Sequence, residues 1–137
     1  MKNLHKYVYP AIFTEEESGM YSVVFPDIKN CYTGGNDLND AIEMAEDVLA
    51  LMLCEYENRK KPIPKPSKVR DIKVNGDNEF VSLIACDTLE YRRQNDNRAV
   101  KKTLTIPSWL NSMSENAGVN YSAVLKEALI QRLGLIT

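Results

Sequence analysis

Residues 99–110, AVKKTLTIPSWL, place the strongest constraint on how this chain can fold. Val100, Leu104 and Ile106 alternate with Lys101, Thr103 and Thr105, and Pro107 ends the pattern, which predicts a β-strand. The chain after Pro107 has helical spacing to its end, so no second strand follows. A lone strand leaves its backbone donors and acceptors unpaired, and even an isolated two-stranded hairpin is marginal in water.

Two short helices are predicted after this strand, over residues 108–118 and 120–135. Gly118 suits the end of the first helix, and Asn120 can cap the start of the second. One strand and two short helices bury too little apolar surface to be stable alone. We therefore expect the strand to pair with its copy from a second chain across a two-fold axis, with the four helices forming a shared core.

The polar face of this strand suggests a partner for the dimer. An antiparallel β-ribbon fits the DNA major groove, where lysine and threonine side chains can contact base edges. The free backbone amides at the start of the second helix suit a phosphate. The predicted DNA-binding residues are therefore Lys101, Thr103, Thr105, Asn120, Tyr121 and Ser122. Alternatively, the strand is an ordinary solvated sheet surface with one polar face.

The order and spacing of these elements resemble a ribbon-helix-helix DNA-binding module over residues 99–135. Pro107 after the strand, Gly118 between the helices and the NYS sequence at the start of the second helix match its pattern. The resemblance implies a homodimer that forms through the C-terminal strand and binds DNA.

The first 90 residues predict a different kind of domain. Strands are expected at 5–13, 20–26 and 29–35 as an antiparallel meander, followed by an amphipathic helix at 37–58. The proline-rich segment 58–79 is an extended connection, and 79–87 is a fourth strand, expected to insert parallel to a neighbour. Residues 88–98 are polar, and 91–98 are assigned as a hinge between domains 1–90 and 99–137. The fold class is α+β.

Charge is divided unequally between the two ends of the chain. Residues 1–90 contain 10 Lys and Arg against 16 Asp and Glu, whereas residues 91–137 contain seven against three. This division suggests a cationic partner for the first part and a polyanion for the second. No stretch resembles a signal peptide or a membrane span, and three scattered cysteines fit reduced thiols, so we expect a cytoplasmic protein.

The N-terminal part resembles the HicB family of antitoxins. The matching features are a Tyr-Pro strand, a strand ending in FPD, a Cys-x-Thr-x-Gly turn and L-x-x-A-I-x-x-A at the start of the helix. The resemblance implies a degenerate ribonuclease-H-like βββαβ domain that occludes a HicA-type mRNA-cleaving toxin. It also implies that the C-terminal module binds operator DNA and represses its own operon, as a dimer or tetramer. Candidate toxin-binding residues are Glu15, Glu16, Glu17, Glu43 and Asp47.

Two other functions compete with this interpretation. One is a metal-dependent nuclease of ribonuclease-H-like fold, for which the candidate carboxylates are Asp27, Glu43, Asp47 and Asp87. Asp27 is also explained as a turn residue, and Glu43 and Asp47 as residues of a solvated helix face. The single histidine, His5, has no evident partner for general-base chemistry. The other is a ligand-sensing ribbon-helix-helix transcription factor. We favour a non-enzymatic binding protein that needs no metal or cofactor.

Overall fold

A computed structural model describes residues 4–135, which divide into two compact units with the boundary between Arg98 and Ala99. The described residues form an antiparallel four-stranded sheet and four α-helices, which confirms the α+β class. No helix among them is both long and apolar enough to cross a bilayer. The N-terminal unit contains β1 (Lys6–Glu15), β2 (Tyr21–Val24), β3 (Tyr32–Gly35), α1 (Leu38–Asn58), β4 (Glu79–Asp87) and α2 (Thr88–Asn95). The C-terminal unit contains α3 (Ser108–Asn116) and α4 (Tyr121–Arg132).

The first three strands form the predicted antiparallel meander. The sheet order is β3-β2-β1-β4, with Phe13 of β1 opposite Val23 of β2 on one side and Phe80 of β4 on the other. The turn between β1 and β2 depends on Gly19. Its φ of +88° lies in the left-handed region, which glycine adopts at little energetic cost. The rings of Phe13 and Phe80 stack with their centroids 5.2 Å apart.

The predicted parallel orientation of β4 is wrong. β4 runs antiparallel to β1, from Lys6 opposite Asp87 to Thr14 opposite Glu79. The reason is the connector, residues 59–78, which returns the chain to the far end of the sheet before β4 begins. It is held there at Ser67, whose backbone N–H donates to Asp27 at 2.9 Å. An extended chain covers about 3.3 Å per residue, so this connector can pass along the whole of α1.

The core lies between α1 and one face of the sheet. Asp37 caps the helix by accepting a hydrogen bond from the backbone N–H of Asp40 at 2.8 Å. The first turn of α1 lies so close to β3 that a Cβ atom at Gly35 would overlap the backbone of Ala41. The buried side chains of α1 pack against strand residues, and together the principal core residues are Tyr9, Ala11, Phe13, Val23, Phe25, Ala41, Ala45, Leu49, Leu53 and Ile84.

Part of the segment predicted as a hinge is instead the helix α2. Its N-terminus is capped by Asp87, which accepts from the Glu90 N–H at 3.1 Å, and Thr88 is fully buried. Residues 91–95 therefore continue a helix that is fixed to the N-terminal unit, and only 96–98 precede the boundary between units without regular structure. The polar composition of this segment predicts a solvated hinge. The residue that binds it, Glu57, lies far away in the sequence, so the contact is not visible in the segment itself.

Glu57 of α1 joins three elements of the N-terminal unit. Its carboxylate accepts hydrogen bonds from the Tyr7 hydroxyl at 2.7 Å, the Thr88 hydroxyl at 2.9 Å and the Arg92 guanidinium at 3.0 Å. Burial raises the pKa of Glu57, but the hydrogen bonds from Tyr7, Arg92 and Thr88, with the charge of Arg92, outweigh it and lower the pKa overall. This carboxylate therefore fastens α2 and the start of β1 to the end of α1.

We predict that Glu57→Ala lowers the free energy of unfolding by about 1–3 kcal/mol, because it leaves partly buried donors without an acceptor. The matched control is Glu55→Ala, two residues earlier on α1. Glu55 forms an exposed i,i+4 ion pair with Arg59 at 3.6 Å, which is worth less than about 0.5 kcal/mol. Urea unfolding followed by circular dichroism measures both, and equal effects would contradict the role assigned to Glu57.

The same carboxylate predicts a dependence of stability on pH. Because the folded state lowers the pKa of Glu57, its contribution is fully present above the unfolded pKa of about 4.3. The contribution is lost as the pH falls through the lower folded value. The stability difference between the wild type and Glu57→Gln should thus be constant between about pH 5 and 7 and shrink below about pH 4. A difference that stays constant down to pH 3 would contradict the lowered pKa.

Candidate functional site

An acidic groove opens on the N-terminal unit where α1, the end of β4 and α2 meet. Its volume is about 330 Å³. Five carboxylates line it, together with the Tyr91 ring and the Gln94 amide. The lining residues are Glu43, Glu46, Asp47, Ala50, Ala85, Cys86, Asp87, Glu90, Tyr91 and Gln94. Two of the predicted toxin-binding residues, Glu43 and Asp47, therefore lie in one groove.

The helical period of α1 places three of these carboxylates on one side of the helix. Glu46 and Asp47 lie three and four residues after Glu43, so all three project from one exposed face. In the ion pairs formed among residues 4–135, the carboxylates belong to Glu55, Glu57 and Asp96. No groove carboxylate takes part in these ion pairs. The concentrated negative charge favours a cationic partner.

Two side chains contributed by α2 shape the opposite wall of the groove. The Gln94 amide donates to the Glu90 carboxylate at 3.1 Å, which orients that carboxylate along the helix. Burial, followed by the negative charge of Asp47, raises the pKa of Tyr91. The Tyr91 hydroxyl is therefore protonated at neutral pH and available as a hydrogen-bond donor beside the carboxylates.

The other three predicted toxin-binding residues lie elsewhere. Glu15, at the end of β1, and Glu16 and Glu17 of the following turn are all exposed. The Glu16 carboxylate accepts a hydrogen bond from the Ser22 hydroxyl at 2.9 Å across the hairpin. None of the three lines the groove, so the candidate acids form two separate surfaces.

The C-terminal unit has no buried residue among 99–135. Many of its apolar side chains are exposed, with Val100 76%, Met113 64% and Leu133 68% accessible. Residues 96–107 form neither a helix nor a strand in the single chain, and the four-stranded sheet ends at β3 and β4 without them. Lys101, Thr103 and Thr105 are exposed in this segment. The predicted pairing of this segment with a second chain stays a prediction.

The start of α4 has the predicted cap. The Asn120 side chain accepts from the Ala123 N–H at 3.1 Å. The Tyr121 hydroxyl donates to the Asn111 side-chain oxygen at 3.0 Å and so fastens the start of α4 to α3. Ser122 is exposed in the first turn. These three residues lie together at one helix end, where backbone amides remain available for an anion.

The carboxylates proposed for a nuclease are not assembled as a metal site. Asp27 accepts hydrogen bonds from the backbone N–H and hydroxyl of Ser67, whereas Glu43, Asp47 and Asp87 line the groove. Within residues 4–135, no group of three His, Cys, Asp or Glu side chains is placed to hold a metal ion. The backbone carbonyl of His5 accepts a hydrogen bond from the Thr88 N–H at 2.9 Å.

The three cysteines are free thiols. Cys31 and Cys54 are buried, and burial raises the pKa of Cys31 to about 11. Burial, together with neighbouring thiols and carboxylates, raises the pKa of Cys86 to about 12. All three are protonated at neutral pH, which matches their predicted role as small apolar side chains rather than nucleophiles.

Sequence reasoning missed part of the groove. Glu46 shares a helix face with Glu43 and Asp47, so the helical period alone could have identified it. Glu90, Tyr91 and Gln94 could not be found in this way, because they reach the groove only through the docking of α2. No local pattern in the sequence predicts that docking.

Comparison with known proteins links this architecture to one family. The family described as "HicB_like antitoxin of bacterial toxin-antitoxin system" matches residues 8–83. A relative named Antitoxin HicB 2, from Photorhabdus laumondii, is 39% identical over 59 residues. That alignment covers 43% of this chain and 42% of the relative, so the chain spans less than half the length of the relative it matches.

Two solved structures share the fold over nearly the whole chain. A chain from a toxin–antitoxin complex of Streptococcus pneumoniae has 25% identity and a TM-score of 0.61, covering 93% of this chain and 99% of that one. The antitoxin HicB of Burkholderia pseudomallei has 16% identity and a TM-score of 0.52, covering 93% and 96%. Because the family match extends over more than half of the residues, this chain belongs to the HicB-like antitoxins of bacterial toxin–antitoxin systems.

Proposed function

We propose that this protein neutralises a HicA-type ribonuclease toxin with its N-terminal unit and represses its own operon by binding operator DNA with a dimer of its C-terminal unit. The observation that carries the proposal is the absence of any buried residue over 99–135 in the single chain. A unit this exposed requires a partner to become stable, and a second copy of the same unit supplies complementary apolar surface.

The pairing of two 100–106 segments explains the arrangement of this unit. An antiparallel ribbon gives each backbone its missing hydrogen bonds and places Leu104 and Ile106 on the helical core. Lys101, Thr103 and Thr105 then lie on the opposite face of the ribbon, where they can enter the major groove. The capped start of α4, at Asn120, supplies amides for a backbone phosphate. This is the geometry of a ribbon-helix-helix dimer.

The N-terminal unit supplies the surface for the toxin. Its order, βββαβ followed by α2, supports the assignment as a degenerate ribonuclease-H-like domain that binds rather than cleaves. The groove carboxylates Glu43, Glu46 and Asp47 attract a basic RNA-binding protein and raise its association rate. Neutralisation then requires only that the bound antitoxin covers the catalytic or RNA-binding surface of the toxin. No bond needs to be made or broken.

We predict that Lys101→Ala, Thr103→Ala and Thr105→Ala together weaken operator binding by more than about 100-fold, because each base contact is worth about 1–3 kcal/mol. The probe is the promoter DNA upstream of the gene, in a gel-shift assay at fixed salt concentration. Lys68→Ala is the control, because it removes the same single positive charge from the exposed connector of the other unit. Operator affinity of the triple variant equal to that of the control would overturn the DNA-binding assignment.

The contribution of the groove carboxylates to toxin binding can be compared with that of Glu15, Glu16 and Glu17 by neutralising three charges in each set. We predict that Glu43→Gln, Glu46→Gln and Asp47→Asn together slow association with the adjacent gene's toxin product at least about 10-fold and reduce its salt dependence. The matched variant carries Glu15→Gln, Glu16→Gln and Glu17→Gln and should associate normally. Surface plasmon resonance with immobilised toxin measures both. If the Glu15, Glu16 and Glu17 variant associates more slowly than the groove variant, the toxin site lies at the β1–β2 turn instead.

A further inference from the structure

The connector between α1 and β4 concentrates the basic residues of the N-terminal unit. Residues 59–78 contain seven Lys and Arg against two Asp and Glu, whereas the rest of residues 1–90 contains three against 14. All seven basic side chains of the connector are exposed, and they belong to Arg59, Lys60, Lys61, Lys65, Lys68, Arg70 and Lys73. The acidic total of this part of the chain therefore hides one strongly basic segment.

The positive charge of the connector is not compensated by neighbouring carboxylates. Arg59 pairs with Glu55 at 3.6 Å, and the other ion pairs formed by residues 4–135 have Arg92 and Arg98 as their cations. No connector residue lines the acidic groove. Six of the seven basic side chains thus form no ion pair within the described residues, and they present their charge to solvent.

The connector is fastened to the N-terminal unit at its middle. Asp27 accepts hydrogen bonds from both the backbone N–H and the hydroxyl of Ser67. Three residues earlier, the Pro64 carbonyl accepts a hydrogen bond from the buried Tyr9 hydroxyl. A turn follows, in which the Asp71 N–H donates to the Lys68 carbonyl at 3.0 Å. The basic segment therefore has a fixed course over the surface of this unit.

Prolines give this segment the extended geometry of polyproline II. They stand at positions 62, 64 and 66, and Lys68 has φ −77° and ψ 141°, which are polyproline II values. That helix repeats every three residues and rises about 3.1 Å per residue. Since Pro64 and Ser67 both contact the unit, the residues that follow them, Lys65 and Lys68, share one neighbouring edge about 9 Å apart.

We propose that this connector is a second DNA-contacting surface, which binds phosphates of the duplex flanking the operator. The inference rests on the proposed function, because binding of the C-terminal unit brings the duplex near. Only residues 96–99 separate the end of α2 from the predicted strand at 100–106, and four extended residues reach about 13 Å. Such a short tether keeps the connector at a high local concentration of neighbouring DNA.

The chemistry of the connector suits phosphates rather than base edges. Between residues 60 and 70 the only polar side chain that is not basic belongs to Ser67, and its hydroxyl is already bound to Asp27. Lysine and arginine that neutralise phosphates release condensed counterions and so gain affinity without reading sequence. Because the backbone of the segment is already fixed by prolines and by Asp27, binding orders little more than the basic side chains.

The test compares promoter binding by the full-length wild type and two double variants in gel-shift assays over a range of salt concentrations. Lys65→Gln with Lys68→Gln removes two charges from one edge of the connector. Each phosphate contact contributes about 0.9 to the slope of log affinity against log salt, so this variant should lose at least about 1.8 from the slope. Lys65→Arg with Lys68→Arg is the matched control and should keep the wild-type slope, because it keeps both charges.

Shortening the promoter fragment from its ends locates the contact. The affinity of the wild type should fall as flanking base pairs are removed, whereas that of the glutamine variant should not. One lost phosphate contact costs about 5-fold in affinity at 0.15 M salt, so Lys68→Ala alone should weaken binding less than the ribbon variant does.

Three results would overturn the inference. One is a wild-type slope in the glutamine variant with normal promoter binding, which would leave the proposed function intact. Another is a loss confined to duplex RNA of the same length, which would assign the connector to RNA. Failure of the wild type to bind the promoter at all would overturn both the inference and the proposed DNA-binding function.

Discussion

The close packing of α1 on the sheet is the contact on which the rest of the N-terminal unit depends. Small residues make it possible, since Gly35 leaves room for the backbone of Ala41 and Ala45 keeps the next turn near the strands. Leucines at 49 and 53 then fill the wider space farther along the helix. A helix held this near can bury only one face, so its acidic face is left at the rim of the sheet. That acidic face forms one wall of the groove.

The sequence predicts those elements whose causes are local. The aromatic and β-branched residues of β1, the glycine turn that follows it and the apolar period of α1 each lie within one short window, and the structure confirms the elements that they predict. The orientation of β4 and the docking of α2 have causes that are distant in sequence. β4 follows a connector fastened at Asp27, and α2 is held through the contact of Arg92 with Glu57. A charged segment looks solvated in the sequence until its half-buried partner, here Glu57, is known.

The same distinction explains what could be predicted of the candidate site. Glu43 and Asp47 could be identified as acids on an exposed helix face, but the wall that makes a groove of that face arrives with α2. In the C-terminal unit, Asn120 and Gly118 follow local rules, and the structure shows the cap and the positive φ that they predict. No side chain of that unit is buried among residues 99–135, so these local features are all that the single chain shows of it.

Charge separates the surfaces on which the proposed functions depend. The groove of the N-terminal unit is lined by five carboxylates, whereas residues 91–137 contain seven Lys and Arg against three Asp and Glu. Within the described residues, the segment 100–106 belongs to no strand, so its backbone groups are left for a partner. A contact through backbone groups, one through carboxylates and one through basic side chains would therefore use different residues of the same chain.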